Sequence, residues 1–249
     1  NGDAGPYAPL ARLMSDRFTV VSYDRRGFSR SPMDEVPEDR LGVDVADALA
    51  LIDVVGERDA AAYVFGSSSG AIVGLELLAR HPERVRMLVA HEPPLMSILP
   101  DGDEILAFFD EVVEISRRDG VEAATAAFGA RMGMDGDAPD VGTLPGPVAE
   151  MLERMWVNQP FFLEHELRQY PAVMPDYARL QAQSAKIVLV GGRESRDYPP
   201  YRPNLVLGER LARPVLDLPG DHVGYVTAAP DFAAALSPLL PDDGDGAPE

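Results

Sequence analysis

Along the first ninety positions, short continuous apolar runs alternate with apolar residues at helical spacing. Residues 18–23, Phe18-Thr19-Val20-Val21-Ser22-Tyr23, are β-branched and aromatic and predict a strand that ends in the turn Asp24-Arg25-Arg26-Gly27. Residues 43–55 carry apolar side chains at helical spacing and stop at Gly56. Residues 60–65 predict a second strand, 69–80 a helix closed by His81-Pro82, and 85–91 a third strand broken by Glu92-Pro93-Pro94. The order β-α-β-α-β, with nearly continuous apolar strands, predicts an α/β domain whose parallel sheet is covered on both faces.

The rhythm then changes, and residues 95–185 contain no convincing strand. Ile105, Phe108, Phe109, Val112 and Val113 mark one amphipathic helix, and residues 121–132 form an alanine-rich one. Val148, Met151, Leu152, Met155 and Trp156 mark another, and residues 161–170 a further one. Strand–helix alternation resumes with strand 187–190, helix 204–212, strand 215–218 and a last helix over 231–239. Residues 1–94 and 186–240 therefore predict the α/β core, 95–185 an inserted helical cap, and 241–249 an acidic, Gly/Pro-rich, disordered tail.

Composition narrows the function classes. The 249 residues are 46% hydrophobic and 25% charged, which suits a folded domain and rules out a disordered chain. The net charge of −19 argues against nucleic acid and anionic membranes as partners. No apolar run approaches the roughly 18 residues of a membrane-spanning helix, and no signal peptide is visible. Without cysteine there is no disulfide, no thiolate metal site and no thiol nucleophile. The cytoplasm is the default location, and a homodimer is compatible with this composition.

The sharpest chemical signal is Phe65-Gly66-Ser67-Ser68-Ser69-Gly70, where a predicted strand meets a predicted helix. G-x-S-x-G in that context is a nucleophile elbow, and of the three serines only Ser68 has glycine two positions away on both sides. The tight turn wants glycine at both of those positions, and Gly74 extends the small face toward the sheet. A serine nucleophile needs a base. His81 suits a helix C-terminus, His91 ends a buried strand, and His165 lies on a cap helix as a surface or pocket residue. His222 follows the last strand through Gly220-Asp221, on a loop that opens at the same sheet edge as the elbow, and is the favoured base.

With the segment from Ser22 to Ser31, the elbow at Ser68 and Gly220-Asp221-His222, the chain resembles serine-type α/β-hydrolases. The resemblance implies the α/β-hydrolase fold: a mostly parallel sheet with helices on both faces and an inserted helical cap. Many such proteins place the catalytic acid after the strand that follows the cap, where this chain reads Gly191-Gly192-Arg193-Glu194-Ser195-Arg196-Asp197. The position of the usual aspartate falls on Glu194 or Ser195. A minority layout, that of mycoestrogen-lactone hydrolases, puts the acid after the strand following the elbow helix, which is Glu92 here. Glu92 is favoured, with Glu194 and Asp197 as alternatives; a buried carboxylate needs a partner, and His222 would supply it.

One oxyanion donor is expected from the backbone N–H of Ser69. The resemblance implies a second from an early loop, near Asn1 or Gly2. It also implies two or three preceding strands, roughly thirty residues, so the natural chain is expected to start before Asn1. Met132, Met134, Met151, Met155, Trp156, Phe161, Phe162 and His165 either line an apolar pocket or form the cap's own core. The expected activity is hydrolysis of an ester or lactone of a mid-sized apolar small molecule, with no metal and no cofactor. A carbon–carbon (diketone) hydrolase with the same triad, and an impaired small-molecule-binding protein on the same fold, are the alternatives.

Overall fold

The computed structural model describes residues 2–56, 60–134 and 141–241; Asn1 and the tail beyond Pro241 lie outside the described residues. Helices α1 (Ala8–Met14) and α2 (Arg40–Val55) precede β1 (Ala62–Ser67), α3 (Ser69–Arg80) and β2 (Val85–His91). Helices α4 (Gly102–Asp119), α5 (Val121–Met132), α6 (Gly146–Val157), α7 (Gln159–His165) and α8 (Tyr177–Ala182) follow. The chain ends with β3 (Ile187–Gly192), α9 (Arg202–Leu211), β4 (Val215–Leu218), α10 (Gly224–Thr227) and α11 (Ala229–Leu236).

The four strands form one parallel sheet in the order β1-β2-β3-β4. Side chains alternate across a strand, and here the alternation sorts them between two cores. Leu88, Ala90, Ile187 and Leu189 pack with residues of α2, α3, α8 and α9. Val89, Val190 and Leu218 pack with residues of α1, α10 and α11. Both faces are thus apolar, which is why these strands read as continuous hydrophobic runs. Between β2 and β3 the described residues contain helices and 3-10 turns and no strand. A third apolar cluster forms there, with Met96, Ile105, Phe109, Val112 and Leu163 among its buried members.

The register decides what meets at the sheet edge. Ser67 pairs with His91, His91 with Val190, and Gly192 with Leu218. All four strands therefore end at one edge, and the segments that follow them start side by side.

Residues 18–23 are a correction to the sequence reading. They form no strand, and Val20 and Val21 are exposed. A strand needs a neighbour for its N–H and C=O groups, and among the described residues none pairs with this segment. The turn that follows is well tied. Asp24 accepts hydrogen bonds from the backbone N–H of Ala4 (2.8 Å) and from Arg30 through its N–H (3.1 Å), Nε (2.5 Å) and Nη2 (2.9 Å). The helix expected over 161–170 also stops early: α7 ends at His165, and Glu166 turns inward to buried Arg25. Helices α1, α8 and α10 carry too few periodic positions to stand out in the sequence.

The Arg30 hydrogen bonds outweigh burial and hold the Asp24 carboxyl at about 2, against 3.8 normally. A carboxylate whose pKa is lower in the folded chain stabilises that chain above the unfolded value, and the effect fades as pH falls toward the folded value. Asp24→Asn is expected to cost about 1–2 kcal/mol at pH 7, allowing for the exposed Arg30 partner. Thermal melts from pH 7 to pH 2 check this: the gap between wild type and variant should be flat above about pH 4 and close below it.

Candidate active site

Ser68 lies between β1 and α3 with φ 55° and ψ −128°, a conformation that a non-glycine residue holds only when its surroundings impose it. Those surroundings are visible. Its N–H donates to His91 O (2.9 Å), and its carbonyl accepts from Ala71 N–H (2.8 Å). A Cβ on Gly66 would come within 2.3 Å of the Gly70 carbonyl oxygen, so that position must be glycine. A Cβ on Gly70 would meet nothing within 4 Å. The expectation that both flanking glycines are sterically required is therefore corrected: the crowding is one-sided. A Cβ on Gly74 would come within 2.6 Å of Leu88 Cδ1, in keeping with a helix drawn close to the sheet.

Glu92 follows β2 with φ 47° and is fully buried. Its Oε1 accepts from Gly192 N–H (2.7 Å) and from the Ser195 hydroxyl, and its Oε2 lies 2.6 Å from His222 Nδ1. Burial pushes this carboxyl up, but His222, His91 and the Ser195 hydrogen bond outweigh it and hold the group below its ordinary value. An ionised Glu92 keeps the ring proton on Nδ1 and leaves Nε2 as the acceptor. Gly192 allows the approach: a Cβ there would come within 2.5 Å of Asp221 O. Gly220, at φ 86°, makes the turn, and Asp221 accepts from Val223 N–H at 2.9 Å to shape the His222 loop. Glu194 and Asp197 are exposed, and neither bonds to His222 among the described residues. Ser195, beside Glu194, instead turns in to hold Glu92. The sequence reading considered this position only as a place for the acid.

The other histidines are elsewhere. His91 is buried, with Nδ1 2.9 Å from Ser67 Oγ and no partner on Nε2 among the described residues; burial pushes it down to about 4, so it is neutral at physiological pH. His81 closes α3, and His165 packs on Phe161 at 4.8 Å between ring centroids.

Ser68, Ser69 and His222 line one cavity of about 40 Å³, although no hydrogen bond joins Ser68 to His222 among the described residues. Its apolar wall includes Met96, Phe109, Phe128, Met132, Met134 and Phe162, and buried Glu166 and Tyr170 complete it. Of the eight residues expected to line an apolar pocket, Met132, Met134 and Phe162 lie in this wall and five do not. Trp156 is half exposed and Met155 half-buried on α6, a helix with no fully buried residue. Phe161 packs edge-on against Phe28 at 5.1 Å and covers the turn at Gly27, taking His165 with it. Met151 packs beside Gly5.

Ser69 is the first residue of α3, and its hydroxyl accepts from Arg25 Nη2 at 3.2 Å. Gly2 stands outside the cavity wall, at φ 71°; its carbonyl accepts from Arg25 N–H at 2.8 Å, and a Cβ on it would strike the Phe28 ring. Among the described residues no group of three or more His, Asp or Glu side chains is placed to hold a metal ion, and no helix is long and apolar enough to cross a membrane. The arrangement offers a serine hydroxyl carried on a strained turn, a histidine oriented by a buried carboxylate, and a helix N-terminus, all opening on an apolar space.

Residues 2–236 match the family model described as the alpha/beta hydrolase family. An uncharacterized hydrolase, YraK of Bacillus subtilis (strain 168), is 31% identical over 247 residues, covering 96% of this chain and 85% of its own length. The enol-lactonase from Burkholderia xenovorans LB400 shares the fold with a TM-score of 0.69 at 19% identity, over 96% of this chain and 87% of that one. MenH from S. aureus does so with a TM-score of 0.70 at 14% identity, over 96% and 89%.

The one-sided crowding at the elbow makes a sharp prediction. Gly66→Ala should cost at least about 3 kcal/mol or prevent folding, because a backbone carbonyl must move. Gly70→Ala should be neutral or stabilising by up to about 1 kcal/mol, as expected for alanine replacing glycine in a helix. Denaturant melts of the two variants check it; equal losses would contradict the geometry.

Proposed function

The chain belongs to the α/β-hydrolase family and is a hydrolase; within that family, we propose that it cleaves an ester or lactone of a mid-sized apolar molecule through an acyl-enzyme on Ser68. The reading rests on one observation: Ser68 and a His222 ring already bound to buried Glu92 face the same apolar cavity.

In this mechanism Ser68 Oγ attacks the carbonyl carbon, and His222 Nε2 accepts the hydroxyl proton. The imidazolium that forms is stabilised by Glu92, which stays ionised. The tetrahedral oxyanion is met by the Ser69 N–H at the head of α3, where the helix dipole also favours negative charge. A second donor from the early loop near Gly2 belongs to the same proposal. One such donor contributes about 3–4 kcal/mol to the transition state. His222 then returns the proton to the leaving alkoxide, and water, activated by the same ring, releases the acid.

The wall chemistry supports an apolar substrate. Phenylalanine and methionine side chains bury hydrocarbon and adapt to its shape. A cavity of about 40 Å³ is far below the several hundred cubic ångströms of ordinary ligand sites. Admission of such a substrate is proposed to proceed by movement of the helical segment between β2 and β3, acting as a cap, away from the sheet edge. The enol-lactonase named above, similar in fold, has a name that agrees with lactone chemistry.

A fluorophosphonate probe tests the proposal. One adduct per chain, mapped to Ser68 and lost in Ser68→Ala, is the expected outcome, with hydrolysis across an ester and lactone panel. Glu92→Gln should keep the fold but lower kcat by about 10³–10⁴-fold, since a neutral amide neither fixes the ring tautomer nor stabilises the imidazolium. Turnover unchanged in Ser68→Ala would refute the serine mechanism.

A further inference from the structure

Four ionisable side chains, Arg25, Arg40, Asp44 and Glu166, are buried together near Ser69. Arg25 Nη1 reaches Asp44 Oδ2 at 2.7 Å, and its Nη2 reaches both oxygens of Glu166, at 2.8 and 2.7 Å. Arg40 lies 3.9 Å from Asp44 and 4.0 Å from Glu166. The Tyr170 hydroxyl donates to Asp44 at 2.6 Å. Two cations thus face two carboxylates, and all four are more than nine-tenths buried.

The groups come from both halves of the molecule. Arg25 and Asp44 belong to the part that precedes β1, whereas Glu166 and Tyr170 belong to the helical segment between β2 and β3. The guanidinium that joins the two halves also reaches Ser69 Oγ at 3.2 Å. Burial pushes the Glu166 carboxyl up, but Arg25 and the Ser69 hydroxyl together hold it below its ordinary value. The Ser69 side chain therefore accepts from the same guanidinium nitrogen that holds Glu166, while its backbone N–H heads α3 one residue beyond Ser68. Arginine suits this place because its planar fork can bond three partners at once; a lysine ammonium is a single point of charge.

We propose that Arg25 and Glu166 are positioning residues: Glu166 fixes the guanidinium that holds the Ser69 hydroxyl, and so couples the seating of the helical segment on the core to the aim of the Ser69 N–H at the reacting carbonyl. The inference rests on the acyl-enzyme reading above. In the seated state Glu166 holds the Arg25 guanidinium against the Ser69 hydroxyl. When the helical segment lifts, Glu166 leaves with it and the grip on Ser69 is lost. Oxyanion stabilisation is then complete only when the site is closed.

Ser69→Ala is the decisive variant, because it cuts the link while every charge and every backbone N–H stays in place. On p-nitrophenyl butyrate it should lower kcat about tenfold or more, in line with the rate cost of small misplacements, with KM within twofold and an unchanged melting temperature. Glu166→Gln should also lower kcat, and should shift the emission of Trp156, the single tryptophan, which reports on the helical segment. In the double variant the kcat losses should not multiply, because both substitutions release the same hydroxyl. Unchanged kcat in Ser69→Ala, or losses that multiply, would overturn the inference. If Glu166→Gln does not fold, Ser69→Ala alone decides. A wild-type protein that forms no fluorophosphonate adduct at Ser68 overturns the acyl-enzyme reading and this inference with it. An adduct together with an unaffected Ser69→Ala overturns the inference alone.

Discussion

A carboxylate without access to water sits where the ends of β2 and β3 meet the loop after β4. Removing an ion of this kind from water costs several kcal/mol, recovered only if its lone pairs are filled and a partner stands nearby. Glu92 meets both conditions, through the Gly192 N–H, the Ser195 hydroxyl and His222. Each of these partners is fixed by the need to stay within bonding distance of one group. The loop carrying His222 cannot drift, because its ring is bound to Glu92 and its backbone presses on Gly192. The positive φ angles of Ser68 and Glu92, at 55° and 47°, persist because the strand ends around them leave no freedom.

The same physics operates a second time between Arg25, Arg40, Asp44 and Glu166. There the buried charges join the helical segment to the core instead of joining loops to one another. Breaking one member of such a set leaves an uncompensated charge, which typically costs about 3–5 kcal/mol. The result is a strong orientation signal at a boundary that is otherwise apolar. The cavity is lined by members of both charge sets and walled mainly by phenylalanine, methionine and proline. Low polarity around it strengthens the field of every fixed dipole that points in, which is where a reaction that develops charge benefits most.

The stretch after β3 illustrates how a carboxylate can reach the same histidine from a neighbouring strand. The sequence pattern of the hydrolases that this chain resembles directs attention to residues 194 and 195 for a carboxylate. Ser195 is there, turned inward, and it donates a hydrogen bond to a carboxylate that arrives from the neighbouring strand. Glu194 beside it faces solvent. Adjacent parallel strands end at nearly the same height, so either strand end can deliver a carboxylate to one histidine.

Local pattern carried much of the architecture. Helix 69–80 and strands 85–91 and 215–218 have the bounds that apolar spacing and the breakers at His81-Pro82 and Glu92-Pro93 predict. These limits depend on residues within a few positions of one another, and such information is present in any single sequence. Ser68 between two glycines was legible for the same reason. The pairing of Glu92 with His222 bridges 130 positions, and the pairing of Arg25 with Glu166 bridges 141. No spacing rule reaches that far. Residues 18–23 have strand composition without a strand, because pairing requires a neighbour and composition cannot supply one. Phe161 and Phe162 are adjacent and alike in sequence, yet one covers a turn and the other walls the cavity. Sequence by itself marked most of the core strands and helices and the serine set between two glycines; tertiary structure decided which strand-like segment finds a neighbour, which charges meet and which aromatic faces inward, because these depend on distances across the folded chain.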